Sequence, residues 1–291
     1  MALAHLIQPK PRDLGDGFTV RRALPAIETR HVGPFVFLDQ MGPAFIPAGS
    51  GLDVRPHPHI GLATVTYLYE GEIMHRDSLG YAQAIRPGEL NWMSAGKGIV
   101  HSERTPDSLR KTGGAVFGLQ AWVALPLDEE ESEPSFHHYD ASALPQWDGE
   151  NVSFTLVAGE AFGKKSPART LSKLFYVDAR LRPQASFILD DEHEERAIYV
   201  STGAALINGE EIGAGHLAVL NPGEHVRICA NEDTRIMLLG GDALDAPRHV
   251  YWNFVHSSRE RIKEAADLWR EGGFARVPGD DEFIPLPEAG P

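Results

Sequence analysis

Two short pairs of metal-binding side chains constrain the fold of this chain more than any other feature. One pair is His57 and His59, and the other is His101 and Glu103. A single residue separates the members of each pair, and in an extended strand residues two apart point to the same side, about 6.6 Å apart. Two such strands facing each other could direct four ligands at one point. The pattern therefore predicts a metal site inside a small β-barrel.

The residues between the two pairs predict a meander of short antiparallel strands. Residues 64–69 are β-branched and aromatic, and residues 89–93 are again extended. Turn-forming residues separate these stretches, at 70–72, 77–80, 86–88 and 94–98. We expect strands over 114–125 and 32–38 to close this first barrel.

The ligand types limit which metals the site can hold. Three imidazoles and one carboxylate suit Fe(II), Mn, Ni, Cu(II), Co or Zn, whereas iron-sulfur and structural cysteine-zinc sites need thiolates. Four protein ligands leave positions open for water, substrate or dioxygen. The alternative is that these residues are ordinary polar side chains on a solvated strand. Two pairs on separate strands, with glycine turns between them, favour the metal site.

The second half of the chain repeats the first at low fidelity. Setting Gly88 against Gly215 places Leu90 on Leu217 and continues to Gly223. In this register His101 falls on Ile228 and Glu103 on Ala230, and matching Gly71 with Gly203 places His57 on Leu189 and His59 on Asp191. A second barrel without a metal site is therefore predicted. Its expected strands are 174–179, 186–189, 196–201, 204–207, 216–220, 225–229 and 234–240.

The predicted fold class is all-β, with two tandem jelly-roll barrels and a short C-terminal helix. Residues 126–134 form an acidic run with proline at both ends, which we interpret as a solvated linker. The predicted domains are a metal-binding barrel over 1–130 and a second barrel with the helix over 131–291. Ser257 and Glu260 predict a capping box, followed by an apolar stripe that packs on a barrel.

Composition excludes several classes of function. The chain has 27 Lys and Arg against 41 Asp and Glu, a net charge of −14, which argues against direct binding to nucleic acid or to anionic membranes. The N-terminal residues show no basic start followed by an apolar stretch, so we expect no secretory signal. The sequence has no apolar run of about 18 residues, so we expect no transmembrane helix. The single cysteine, Cys229, precludes an internal disulfide and suits a reducing compartment. We therefore expect a cytoplasmic protein.

The segment HPHIGLATVTYLYEGEIMHRDSLG, followed by PGELNWMSAGKGIVHSE, resembles the metal-binding half of the pirins, members of the cupin superfamily. Residues 33–39 and 251–258 are similar to that family as well. The resemblance implies two tandem cupin barrels and one metal, commonly iron, held by His57, His59, His101 and Glu103. Many pirins have HPHRGFE where this chain has HPHIGLA, so a charged Arg and Glu are absent, and we expect a more apolar pocket wall.

The resemblance also implies a function. Some bacterial pirins cleave flavonols such as quercetin with dioxygen and release carbon monoxide, which predicts a quercetin 2,3-dioxygenase with Fe(II). Glu103 would then also accept a proton from the substrate hydroxyl. One alternative is a non-enzymatic, iron-dependent regulatory or redox-sensing protein that binds a protein partner. Another is a different metal enzyme of the cupin superfamily. We expect the protein to be a monomer.

Two further expectations concern the surroundings of the site. The strand face shared by His57 and His59 is expected to continue with Gly61, Ala63, Val65 and Tyr67, mostly small or apolar groups that leave room for a flat ligand. His75 either lines the mouth of the pocket or orders its own loop through a hydrogen bond.

Overall fold

The structure, a computed structural model, describes residues 3–13 and 19–288, and residues 1–2, 14–18 and 289–291 of the predicted domains lie outside it. The described residues are mainly β-strands, as predicted. The strands are β1 Leu3–Ile7, β2 Lys10–Asp13, β3 Thr19–Leu24, β4 Phe35–Ile46, β5 Asp53–His59, β6 Leu62–Glu70, β7 Ile73–Asp77, β8 Ala82–Ile85, β9 Leu90–Ser94, β10 Ile99–Arg104, β11 Gly114–Ala124, β12 Ser135–Tyr139, β13 Gln146–Gly149, β14 Val152–Ala161, β15 Lys164–Lys165, β16 Leu174–Leu181, β17 Ala185–Leu189, β18 Glu195–Thr202, β19 Ala204–Ile207, β20 Glu210–Gly213, β21 Leu217–Leu220, β22 Val226–Ala230, β23 Thr234–Gly241, β24 His249–Tyr251 and β25 Phe254–His256. The helices are α1 Asp107–Thr112 and α2 Arg259–Arg270, with single 3-10 turns at Leu127–Glu129 and Ala141–Ala143.

The chain forms two compact units, and each unit is built from two separate stretches of the sequence. One unit, here called the first barrel, contains Met41–Tyr139 and the segment from Asp245 onward. The other, the second barrel, contains the segment up to Gln40 and Asp140–Leu244. This division differs from the predicted boundary at 130/131. The predicted closing strand over 32–38 overlaps β4, which is the neighbour of β11 in its sheet, as expected. The division into units falls inside β4, between Gln40 and Met41.

The first barrel consists of two antiparallel sheets. One has the strand order β5-β10-β7-β8, and the other has the order β12-β9-β6-β11 with β4 beyond β11. The strands predicted between the two ligand pairs are present, but they do not form the predicted meander. Apart from β7 and β8, consecutive strands lie in different sheets, with β6 and β9 in one sheet and β5, β7, β8 and β10 in the other.

The second barrel encloses an apolar core. One of its sheets has the order β1-β21-β18-β23-β16-β14-β13, and the other has the order β17-β22-β19-β20. All seven predicted strands coincide with observed strands to within two residues, whereas β14 and β20 were not predicted. The N-terminal strand belongs here because β1 pairs antiparallel with β21. Leu189, Ile228 and Ala230, which the sequence register set against His57, His101 and Glu103, are all buried in this core, whereas Asp191, set against His59, is exposed. The strand pairing places Phe187, and not Leu189, opposite Ile228, so the predicted match of Leu189 with His57 is two residues out of step.

The acidic run does not form the solvated linker that we expected. Glu130 is buried, and one of its carboxylate oxygens lies 2.8 Å from the Nε of the equally buried Arg248. The other oxygen accepts a hydrogen bond of 2.6 Å from the Ser257 hydroxyl. A buried carboxylate needs such partners. This cluster holds the C-terminal segment to the first barrel, which explains why a boundary at 130/131 fails.

The C-terminal helix also packs within the first barrel. Ser258, and not Ser257, is its N-cap, because the Ser258 hydroxyl accepts a hydrogen bond of 3.2 Å from the Arg261 amide. The predicted apolar stripe is confirmed, since the buried side chains Ile262, Ala265 and Ala266 pack with Ile60 and Phe254. Neither described helix has the length and hydropathy that a membrane crossing requires.

We expect Glu130→Ala to lower the free energy of unfolding by about 3–5 kcal/mol, because the change leaves the Arg248 guanidinium buried without its carboxylate. Denaturant titration followed by circular dichroism measures this loss. The matched control is Asp128→Ala, an exposed acidic residue of the same run, for which we expect a change within about 0.5 kcal/mol. Equal effects of the two substitutions would contradict the assignment.

Candidate metal centre

The two predicted ligand pairs lie on neighbouring strands of one sheet. β5 carries His57 and His59, and it pairs antiparallel with β10, which carries His101 and Glu103. We expected these strands to face each other across the barrel, but they are hydrogen-bonded neighbours. His101 lies directly opposite His57 in the ladder, and opposed residues of a ladder present their side chains on the same face. The strand register therefore brings the imidazoles together.

Three histidines converge inside the first barrel. His57, His59 and His101 are buried, and each offers a ligand atom within 4.8 Å of those of the other two. Their ring centroids lie 4.9, 4.4 and 5.0 Å apart. The Nε2 atoms of His59 and His101 are separated by only 3.1 Å. This is the spacing that a shared cation requires.

Backbone carbonyls determine which ring nitrogen of two histidines carries the proton. The Nδ1 of His57 lies 2.8 Å from the Arg55 carbonyl oxygen, and the Nδ1 of His59 lies 2.9 Å from that of Asn253. A carbonyl oxygen can only accept a hydrogen bond, so each Nδ1 must be the donor. In a neutral imidazole the other nitrogen, Nε2, then carries the lone pair. Both Nε2 atoms are consequently available to a metal.

The three imidazoles are held in the neutral form. Burial lowers the pKa of His59 and of His101 well below the ordinary value of 6.5, and neighbouring imidazoles lower it further. Burial also lowers the pKa of His57, although the Arg55 carbonyl and the Glu103 carboxylate oppose this shift. Metal binding requires deprotonated ligands. The three imidazoles can therefore bind a cation near neutral pH without first losing a proton.

Glu103 lies apart from the three histidines in the described part of the chain. The ladder between β5 and β10 is irregular between His101 and Glu103. The Glu103 carboxylate instead accepts hydrogen bonds from Gln120 Nε2, at 2.9 and 2.7 Å, and from the Thr66 hydroxyl, at 3.2 Å. Gln120 and Thr66 are paired residues of the opposite sheet. Hydrogen bonds of this kind fix the position of the carboxyl group.

A second polar pair lies on β7, the other neighbour of β10. His75 Nδ1 is 3.4 Å from His101 Nδ1, and His75 Nε2 is 2.9 Å from Asp77 Oδ2. Asp77 Oδ1 accepts the backbone amides of Leu79 and Tyr81 at 2.9 and 3.1 Å. The side chain of His75 is 4% exposed and that of Asp77 is fully buried. His75 therefore lies behind His101 and does not line a pocket mouth.

The expected apolar lining of the site is wrong because the chain bends after His59. Gly61 has a φ of +65°, and a Cβ there would collide with the carbonyl oxygen of Val255. After this bend β6 starts in the opposite sheet, where the hydroxyl of Thr66 reaches Glu103. Side chains alternate along a strand, so Val65 and Tyr67 point to the other face. Ala63 shares their face, and Gly61 belongs to the bend.

Two further residues near the site bear on the predicted apolar wall. Trp122 presents its indole ring to His59 in an edge-to-face contact, with centroids 5.2 Å apart and planes at 73°. Ile60, at the position of the arginine in HPHRGFE, is buried and packs with α2. The apolar wall near the histidines is therefore provided by Trp122, whereas Ile60 contributes to the packing of the helix.

The donor set fits one divalent transition metal. His59 and His101 face each other through Nε2 atoms 3.1 Å apart, a separation that suits two nitrogen ligands of one cation. The set contains neutral imidazoles and a nearby carboxylate but no thiolate, which suits the borderline metals from Mn to Zn. His57, His59 and His101 could hold such an ion, with Glu103 as a fourth ligand.

Comparisons with known proteins agree with this site and fold. The family model Pirin matches residues 17–123, and the model of the Pirin C-terminal cupin domain matches residues 176–275. The chain is 49% identical to a pirin-like protein of Caulobacter vibrioides over 282 residues, which is 95% of this chain and 96% of that protein. It is 38% identical to a Pseudomonas aeruginosa protein named "Putative quercetin 2,3-dioxygenase", covering 92% of this chain and 85% of that one. A crystal structure of quercetin 2,3-dioxygenase from Acinetobacter baumannii superposes with a TM-score of 0.92 at 34% identity, over 98% of this chain and 95% of that one.

We expect the purified protein to bind one divalent transition metal per chain, and His57→Ala, His59→Ala and His101→Ala to remove most of it. Because a metal that binds only the folded state stabilises it, unfolding should become about 2.7 kcal/mol less favourable when free metal is 100 times Kd. Elemental analysis and thermal unfolding of metal-free protein measure these effects. Metal that binds equally well to all three variants would contradict the site.

Proposed function

The chain belongs to the pirin family, with a fold of two cupin barrels, and from this premise we propose that it is a metal-dependent dioxygenase that acts on flavonols. The proposed reaction is the quercetin 2,3-dioxygenase type, with Fe(II) as the resident metal. The observation that carries the proposal is the convergence of three buried imidazoles inside the first barrel, on strands that also carry the buried carboxyl group of Glu103. The names of two relatives, one from sequence and one from structure, support the substrate class.

The metal and the side chains have separate roles in the proposed reaction. When bound, it supplies Lewis-acid and redox chemistry toward a chelating substrate and dioxygen. His57, His59 and His101 would hold it, and Glu103 is proposed as the fourth ligand. The hydrogen bonds at Nδ1 of these histidines fix each ring in the orientation that presents Nε2.

Glu103 is the residue that we assign to proton transfer. A flavonol has an acidic 3-hydroxyl group, and the enzyme must remove its proton to increase the electron density of the ring. A carboxylate accepts a proton at an oxygen lone pair, and Glu103 lies among buried groups with little water to compete. Its Oε2 accepts one hydrogen bond, from Gln120, and a carboxylate oxygen has a further lone pair that can take the proton.

Gln120 and Thr66 hold the carboxylate of Glu103 in place. Gln120 donates to both carboxylate oxygens, and Thr66 adds a third donor. These bonds hold the carboxylate in one position, which matters because general-base catalysis depends on alignment. Trp122 forms an aromatic wall beside His59 that can contact a flat ring system. Together these residues of the opposite sheet position the base and the substrate.

The proposal is tested by carbon monoxide release from quercetin in air. We expect Glu103→Gln to lower turnover by about 10²–10⁴-fold, the usual contribution of a general base, while much of the metal remains bound. His57→Ala should abolish turnover together with metal binding. The matched control is Glu72→Gln, a carboxylate of the same barrel that pairs with Arg86, and its turnover should equal that of the parent.

The outcomes separate the proposed functions. Full activity of Glu103→Gln would contradict the base assignment. A stoichiometric metal without carbon monoxide release, after reconstitution with Fe(II), Mn, Ni, Cu, Co or Zn, would refute the dioxygenase. That result would favour the regulatory alternative, in which the acidic chain binds a protein partner. Cytoplasmic location and the monomeric state remain parts of the proposal, and the single cysteine supports the first of them.

A further inference from the structure

We propose that His75 and Asp77 are positioning residues that set the tautomer and donor strength of His101 through a chain of hydrogen bonds. The inference rests on the metal-binding part of the proposed function and does not depend on the flavonol substrate. Its basis is the row of buried side chains on β7 and β10, from Asp77 through His75 to His101. At His57 and His59 the corresponding partner is a backbone carbonyl.

Asp77 fixes the direction of the chain. One carboxylate oxygen accepts the backbone amides of Leu79 and Tyr81, and the other lies 2.9 Å from His75 Nε2. A buried carboxylate that accepts from two amides is an acceptor on its other oxygen too, so His75 Nε2 must carry a proton. Neutral His75 then has its lone pair on Nδ1. The tautomer of His75 therefore follows from the acceptor role of Asp77.

His75 passes this direction on to His101. The two Nδ1 atoms lie 3.4 Å apart, and the one on His75 is the acceptor. The proton of His101 is therefore on Nδ1, and its lone pair is on Nε2, which faces His59. The ring of His75 is held in place by stacking on Phe136, with centroids 4.3 Å apart and planes at 11°. Every donor in the chain thus meets an acceptor.

His101 is the histidine of the group whose Nδ1 partner is a side chain. Backbone carbonyls accept the Nδ1 hydrogen bonds of His57 and His59. A carbonyl oxygen carries no net charge that would strengthen the bond, and it cannot become a donor. An imidazole that is itself bonded to a buried carboxylate is a stronger acceptor, because the negative charge increases the electron density at its Nδ1. His101 therefore becomes a better electron donor to the metal. Such partners of metal ligands also fix ring orientation.

The sharpest test is Asp77→Asn, which replaces one carboxylate oxygen by an NH2 group and reverses the chain. The carboxamide oxygen of this variant would keep the amides of Leu79 and Tyr81, so its NH2 group must face His75 Nε2. His75 would then accept there and carry its proton on Nδ1, directed at the Nδ1 proton of His101. His101 can relieve this conflict only by moving its proton to Nε2, where the metal binds.

We expect Asp77→Asn to raise the Kd for Fe(II) by about 10- to 100-fold, the range found for partners of metal ligands. We also expect the reduction potential of the bound iron to become more positive, because a weaker imidazole donor stabilises Fe(III) less. Competition titration with a chelator gives the Kd, and redox titration gives the potential. A purely structural role of Asp77 would lower stability without shifting the potential.

A second pair of variants keeps the test valid if Asp77→Asn does not fold. His75→Asn places a carboxamide oxygen near the position of Nδ1, so it retains an acceptor for His101 but loses the link to Asp77. His75→Leu removes both. We expect the Kd to increase from the parent to His75→Asn and again to His75→Leu. Equal affinities of these two variants would overturn the proposal.

The matched control is Asp178→Asn, which neutralises an equally buried carboxylate in the second barrel. Asp178 lies on β16 and accepts from Arg235 Nε at 2.8 Å. We expect this variant to lose stability and to keep the parent Kd and potential. An unchanged Kd and potential in Asp77→Asn would refute the proposed role of the Asp77–His75–His101 hydrogen bonds, whether or not the protein is a dioxygenase. Conversely, metal binding without carbon monoxide release would refute the dioxygenase, and the Kd and the potential of the Asp77→Asn variant could still be measured.

Discussion

The hydrogen bonds at the Nδ1 atoms of three buried histidines are the constraint on which the rest of the first barrel depends. A buried N–H without an acceptor costs about 1–3 kcal/mol, so each ring needs a partner inside the fold. The partners come from three separate parts of the chain: Arg55 on the same strand, His75 on β7 and Asn253 in the C-terminal segment. Residues from about 245 onward therefore have to belong to the first barrel. The ion pair of Glu130 with Arg248 and the packing of α2 on Ile60 fix that segment in place.

The strand periodicity of two allowed the histidine cluster to be predicted from sequence, but not its surroundings. His57, His59 and His101 were predicted as one group because residues two apart share a face, and the register of β5 with β10 makes the same arrangement. The pair His75 and Asp77 has the same spacing, yet the following Ser-Leu-Gly indicated a turn, and so the pair was interpreted as part of a loop. That this pair lies on a strand next to β10 could be recognised only once the strand order was known, because β7 is far from β10 in sequence.

Predictions failed where the outcome depended on pairing between distant segments. The face after His59 was predicted by continuing a strand through Gly61, although a glycine with a positive φ reverses which residues point inward. Gln120 and Thr66 were missed because neither forms a motif, and they act only as cross-strand partners in the opposite sheet. The boundary at 130/131 was inferred from acidic composition. Composition predicts solvation of a charged run, but a single buried counter-charge such as Arg248 is enough to bring part of the run into the protein.

The two barrels offer an internal comparison of what the polar cluster costs. In the second barrel, Leu189, Ile228 and Ala230, which the sequence register set against His57, His101 and Glu103, all pack in a continuous apolar core. Phe187, which pairs with Ile228 as His57 pairs with His101, packs against the same core. Burial of such side chains stabilises a fold without any need for exact hydrogen-bond geometry. The first barrel instead buries imidazoles, carboxylates, an amide and a hydroxyl, and each of these groups must be paired to avoid a desolvation penalty. The same architecture is thus stable with a simple apolar interior, so folding alone does not require the polar one. A requirement of chemistry, namely a cation with an ionised base and oriented ligands, accounts for the polar interior of the first barrel.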